Sequence, residues 1–138
     1  MTPLLILTHG EFGAVLLGAA EHMLGRQEGT IALALAPDEI REDFAVRVNK
    51  ARADLKERPL VLVDIACGTP WNVALMQGCA VDGGEILAGL SLPMLLEAMG
   101  LRATLAPREL AAELVRLCPH TFARAAEFLA GDASGGCA

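Results

Sequence analysis

The chain has no tyrosine, one tryptophan and four phenylalanines, so aromatics make up only 4% of its 138 residues. That scarcity argues against an aromatic platform for stacking single-stranded nucleic acid. Positive charge is also short: 11 Lys and Arg stand against 17 Asp and Glu, a formal net charge of -6. A chain of that sign repels a phosphate backbone, so nucleic acid is not an expected partner. The four cysteines, Cys67, Cys79, Cys118 and Cys137, form no CxxC pair and no metal-ligand spacing. They read as thiols of a reducing cytoplasm, and no metal is implied. The apolar stretch from Ile86 to Leu96 is broken by Gly89 and Pro93 and falls short of the roughly 20 residues a membrane span needs. The opening MTPLLILTHG lacks a basic stretch and a cleavage-like site, so a secretion signal is not expected. Neither a GxGxxG fingerprint nor a Walker loop is present, which leaves a nucleotide without a seat.

What is present is an alternation of strand-like and helix-like periods. Residues 3–7 (PLLIL) form a short continuous apolar run, as in a strand buried on both faces. Residues 12–24 repeat apolar side chains at Phe12, Leu16, Ala19 and Met23, a helical stripe, with Gly25 as its stop. Residues 30–36 read as a second strand. The segment 37–58 carries the stripe Ile40, Phe44, Val48, Ala51 and Leu55, with acids early and bases late, as the helix dipole favours. A third strand is expected over 59–65 and a fourth over 85–92. Between them, 69–79 reads as a short helix with Thr69 as N-cap and Pro70 at its first position. Residues 93–100 form another helix. The segments 107–118 and 120–131 form a final helical pair interrupted at Pro119. One domain is expected over 1–130, with 131–138 (GDASGGCA) as a disordered tail.

This order predicts an α/β fold with a doubly wound, mainly parallel four-stranded sheet, order 2-1-3-4, helices on both faces and room for an added edge strand. In such sheets ligands gather where the strands end, near the point where strand order reverses. Strand one ends in THG and strand three in DIACGTP. If these strands are neighbours, His9 and Asp64 meet at the same edge. A carboxylate that accepts the Nδ1 hydrogen bond fixes the imidazole tautomer and leaves Nε2 as nucleophile or base. The helix opened by CGTP points its first N–H groups into the same crevice, where they favour an anion such as a phosphoryl group.

Three segments, THGEFGAVLLGAAEHMLG, LVDIACGTPWNVA and AGLSLPMLLEA, resemble the mannose-family enzyme IIA domain of the bacterial sugar phosphotransferase system, in that family's order and spacing. The first domain of the dihydroxyacetone kinase phosphotransfer subunit is similar in fold, but HGEFG and LPMLLEA fit the mannose family better. The resemblance implies that His9 is the phospho-acceptor, that Asp64 orients it, and that Gly68, Thr69 and Gly10 line the phosphoryl group. It implies HPr as donor, a separate enzyme IIB as acceptor, a homodimer, no cofactor, and contact with the membrane only through the permease complex. Cys67 stands where the family commonly has glycine, so a positive φ there would strain it. A regulatory phosphohistidine module that controls another protein without sugar transport is the alternative. A Cys67–His9–Asp64 hydrolase is a third reading. His22 complements the dipole at the end of its helix, and His120 falls in a helix connection. Trp71 either lines a partner surface or packs on the sheet. Asp43 and Arg47 belong to a solvated helix face.

Overall fold

The computed structural model describes residues 1–132. Its order is β1 (Leu4–His9), α1 (Phe12–Leu24), β2 (Thr30–Leu35), α2 (Arg41–Leu55), β3 (Leu60–Val63), α3 (Thr69–Met76), β4 (Glu85–Ala88), α4 (Leu92–Leu101), α5 (Pro107–Leu117), a 3-10 turn (Cys118–Thr121) and α6 (Ala125–Glu127). The four strands make one parallel sheet in the order β2-β1-β3-β4. The chain therefore winds one way from β1 to β2 and the other way from β3 to β4, and the reversal lies between β1 and β3. Among the described residues, no helix is long and apolar enough to cross a membrane.

The two central strands are apolar without alternation because both of their faces are covered. Leu4, Ile6, Leu60 and Leu62 face α1, α4 and α5, in a layer that includes Ala20, Leu95, Leu110 and Leu114. Leu5, Leu7, Val61 and Val63 face α2 and α3, against Phe44, Val48 and Val73. Each such side chain taken out of water stabilises the fold by about 1.5–3 kcal/mol before entropy is counted. At the sheet end opposite the site, the buried Arg102 side chain donates to Gln27 Oε1, the Glu28 carbonyl and Thr30 Oγ1. This ties the end of α4 to the entry of β2, and burial holds the guanidinium pKa below its usual value.

Several boundaries and faces differ from the sequence-based expectation. α1 turns Gly13 and Ala20 inward, with Leu16 and Leu17 half-buried, while Phe12 and Met23 stay exposed. An apolar helix gives no unique stripe. The small residues win because α1 lies so close to β1 that a Cβ on Gly13 would stand 2.8 Å from Ile6 Cγ2. α2 starts at Arg41, leaving Ile40 exposed, because Glu39 folds back to accept the Ala36 N–H and the Arg47 guanidinium. Arg47 pairs with Glu39, and Asp43 and Arg47 both stay exposed, as expected of a solvated helix face. β4 stops at Ala88, where Gly89 takes φ 95°, and Ser91 then caps α4 by accepting the Met94 N–H at 3.2 Å. The second member of the final helical pair shrinks to α6 and a π-helical turn, Phe128–Asp132, after an extended Phe122. His120 lies in the 3-10 turn. The expected tail falls, from residue 133 onward, outside the described residues.

Candidate active site

His9 is the last residue of β1 and pairs with Leu35 of β2. On the other side Leu7 pairs with Val63, the last residue of β3, so Asp64 follows one step beyond. Asp64 Oδ2 accepts both the His9 backbone N–H and His9 Nδ1, each at 2.8 Å. Its other oxygen, Oδ1, accepts the Ile65 N–H at 2.9 Å. One carboxylate thus holds the backbone and the ring of the same histidine. The His9 side chain remains 50% exposed, whereas that of Asp64 is 12% exposed. Burial pushes the Asp64 pKa up, but the hydrogen bonds from His9 N–H, the His9 ring and Ile65 N–H outweigh it, so the pKa lies below the usual aspartate value. An ionised carboxylate only accepts, so in the neutral imidazole the ring proton sits on Nδ1 and the Nε2 lone pair is free.

The ring lies against the start of α3. A Cβ on Gly68 would stand 2.9 Å from His9 Cε1 and 3.4 Å from Nε2. Gly68 has φ -85° and ψ 176°, an ordinary extended conformation, so it is the imidazole, and not the backbone, that requires glycine there. The Gly68 and Thr69 N–H groups donate to no acceptor among the described residues. Beside the free Nε2 there is accordingly a helix start with open donors, a setting that favours negative charge. Among the described residues no cluster of three or more His, Cys, Asp or Glu is arranged to hold a metal ion.

Two expectations change here, and one alternative is decided. The N-cap of α3 is Gly68, and Thr69 is the first helical residue, with Pro70 second. The N–H of Gly10 donates to the Leu35 carbonyl at 2.9 Å, so it is not free to bind a phosphoryl group. Glycine serves that position through its φ of 60°, at which the chain leaves the strand. Trp71 is half-buried and packs against the α2/α3 face of the core. Cys67 does take the left-handed conformation, φ 68°, with an exposed side chain. His22 is exposed in the last turn of α1.

Sequence reading missed Thr8. Its side chain is fully buried, and its hydroxyl donates to the Gly10 carbonyl at 3.0 Å and accepts the Gly13 N–H at 2.9 Å. The signal was a polar residue inside an apolar strand, five positions before a glycine in a helix.

The family model described as PTS system fructose IIA component matches residues 3–115. The fructose-specific EIIA component of the phosphotransferase system from Bacillus subtilis (strain 168) is 30% identical over 131 residues, 94% of this chain and 90% of that protein. The sorbose-specific EIIA component of Klebsiella pneumoniae is 29% identical over 115 residues, 83% of this chain and 84% of that protein. The crystal structure of phosphotransferase system component EIIA from Streptococcus agalactiae superposes with a TM-score of 0.81 at 27% identity, covering 91% of this chain and 98% of that one. With a strand order, a strand-end histidine and a family match in agreement, the chain belongs to the mannose-type enzyme IIA components of the phosphotransferase system.

Proposed function

We propose that this chain is a cytoplasmic phosphocarrier that accepts a phosphoryl group from phospho-HPr on His9 Nε2 and passes it to enzyme IIB of a mannose-family sugar phosphotransferase system. The observation that carries this reading is the grip of Asp64 Oδ2 on both the backbone N–H and Nδ1 of His9. It presents Nε2 with its lone pair outward on a half-exposed ring, where a protein partner can reach it. Family membership supports HPr as donor, enzyme IIB as acceptor and a homodimer as the working assembly.

In the forward step the Nε2 lone pair attacks the phosphorus of the donor's phosphohistidine. The new N–P bond forms as the donor's N–P bond breaks, and the donor imidazole leaves as a neutral base. His9 then carries a proton on Nδ1 and a phosphoryl group on Nε2, so its ring is cationic, and Asp64 stabilises that charge from behind. The open N–H groups of Gly68 and Thr69 offset charge on the phosphoryl oxygens. Transfer to the acceptor is the same displacement in reverse, with His9 as the leaving group.

Incubation with phosphoenolpyruvate, enzyme I and HPr tests the reading by intact mass. The wild type is expected to gain one acid-labile phosphoryl group and His9→Ala none. Equal incorporation in His9→Ala, or none in the wild type with HPr from the same cell, would overturn it.

A further inference from the structure

Thr8 is a buried hydroxyl in a strand of leucine and isoleucine, and nothing in the core asks for it. Its two hydrogen bonds run to the turn that follows the histidine: Oγ1–H to the Gly10 carbonyl, and the Gly13 N–H to Oγ1. Gly13 contributes one of the orphan N–H groups of the first turn of α1. The N-cap residue of that helix, Glu11, supplies no side-chain cap. Thr8 caps the helix from within the strand instead. The bond depends on glycine, since a Cβ on Gly13 would stand 3.0 Å from both Thr8 Cγ2 and Oγ1. Gly10, between the two, is fixed on its other side by its N–H to the Leu35 carbonyl.

His9 therefore stands between two locked residues. We infer that Thr8 is a positioning residue for phosphoryl transfer: its hydroxyl, through Gly10 and Gly13, holds the backbone from which Asp64 and Gly68 aim the His9 ring. The inference rests on His9 as the acceptor, as proposed above. Without the hydroxyl, the Gly10 carbonyl and the Gly13 N–H lose their buried partner, and the turn must move to recover one. A shift on the order of 1 Å at a reacting atom lowers a transfer rate by as much as about a hundredfold.

The test compares Thr8→Val, which keeps the shape without the hydroxyl, with Thr8→Ser, which keeps the hydroxyl. Two readouts are taken: the single-turnover rate of transfer from phospho-HPr, and the nitrogen-15 and Nδ1–H resonances of His9 in the unphosphorylated protein. Thr8→Val is expected to slow transfer by about ten- to a hundredfold and to shift or broaden the Nδ1–H signal, while Thr8→Ser stays close to wild type in both. If Thr8→Val does not fold, Thr8→Ala, which leaves room for a water at the Gly13 N–H, is read in the same two ways. A variant without the hydroxyl that melts earlier but keeps the wild-type rate and resonances would show that Thr8 only holds the fold, and would overturn the inference. Failure of the wild type to accept a phosphoryl group would overturn the phosphocarrier reading alone. The resonances would still report whether Thr8 positions His9.

Discussion

Replacing Cys67 with glycine is expected to stabilise the protein, against the usual direction of point substitutions. Cys67 holds φ at 68°, a region in which Cβ crowds the following carbonyl at about 1–2 kcal/mol for a residue other than glycine. Its side chain is exposed, so removing it opens no cavity and withdraws little apolar surface from contact. Glycine relieves the crowding but adds freedom to the unfolded chain, an opposing effect of roughly 0.5–1 kcal/mol. The difference leaves a gain of up to about 1.5 kcal/mol, with roughly 0.75 kcal/mol at the middle of both ranges, or a rise in Tm of about 2–4 °C for a domain of this size.

Thermal and denaturant melts under reducing conditions measure it, with two companions that separate the causes. Cys67→Ala removes the sulfur but keeps Cβ, and should stay within about 0.5 kcal/mol of wild type. Lys56→Gly probes the relief of another positive φ at an unrelated site, since Lys56 caps α2 at φ 67° and ψ -32° with its side chain exposed. If Cys67→Gly is no more stable than Cys67→Ala while Lys56→Gly gains, the strain argument fails at Cys67. The thiol would then make a native contact worth as much as the crowding.

Asp64→Asn probes the pH dependence of the site. The pKa of Asp64 is lowered on folding, so its stabilising contribution is fully present above the unfolded value near 3.8 and is lost as pH falls through the lower folded value. The gap in denaturant midpoint between wild type and Asp64→Asn should hold steady from neutral pH to about 4 and close in stronger acid, whereas a gap unchanged throughout would refute the assignment. Gly68→Ala keeps an allowed backbone but sets a Cβ 2.9 Å from His9 Cε1. It should cost little stability yet slow phosphoryl transfer by more than about tenfold, and an unchanged rate would show that the ring needs no seat on Gly68.

The strand order and the meeting of His9 with Asp64 were legible because they follow from rules that act on whole segments. Alternating periods give a parallel sheet, and reversal of strand order gives a crevice at the ends of β1 and β3. The inward face of α1 was not legible. Phe12 and Met23 are larger and more apolar than Gly13 and Ala20, and the preference for the small residues arises only from how closely the helix approaches Ile6. The length of β4 failed for a related reason: Ser91 could extend the strand or cap the next helix, and the turn at Gly89 decides between them. At the site itself, the family resemblance placed Gly10 among the phosphoryl contacts. The donor that would have made it one is already taken by the Leu35 carbonyl. Motif position identifies which residues are near, and hydrogen-bond accounting decides which of them still have something to offer.

That accounting also bears on why such a site would suit a carrier. Among the described residues no lysine or arginine pairs with His9 or Asp64, and the ion pairs made by lysine and arginine lie elsewhere. A phosphoryl group on Nε2 would be held by the N–P bond and by open N–H groups at a helix start, with no lysine or arginine paired to His9 or Asp64 among the described residues. A cationic clamp that bound the phosphorylated state more tightly than the transition state out of it would deepen a well from which the group must leave. On the phosphocarrier reading Asp64 would stabilise the cationic ring of phospho-His9, and its negative charge, behind the imidazole, would oppose accumulation of further charge at the phosphoryl oxygens. A lysine introduced beside Nε2, in the exposed position of Ile65, is accordingly expected to leave phosphorylation by phospho-HPr intact and to slow the onward transfer. Faster onward transfer in Ile65→Lys would show that the shallow electrostatics are not what makes the group mobile.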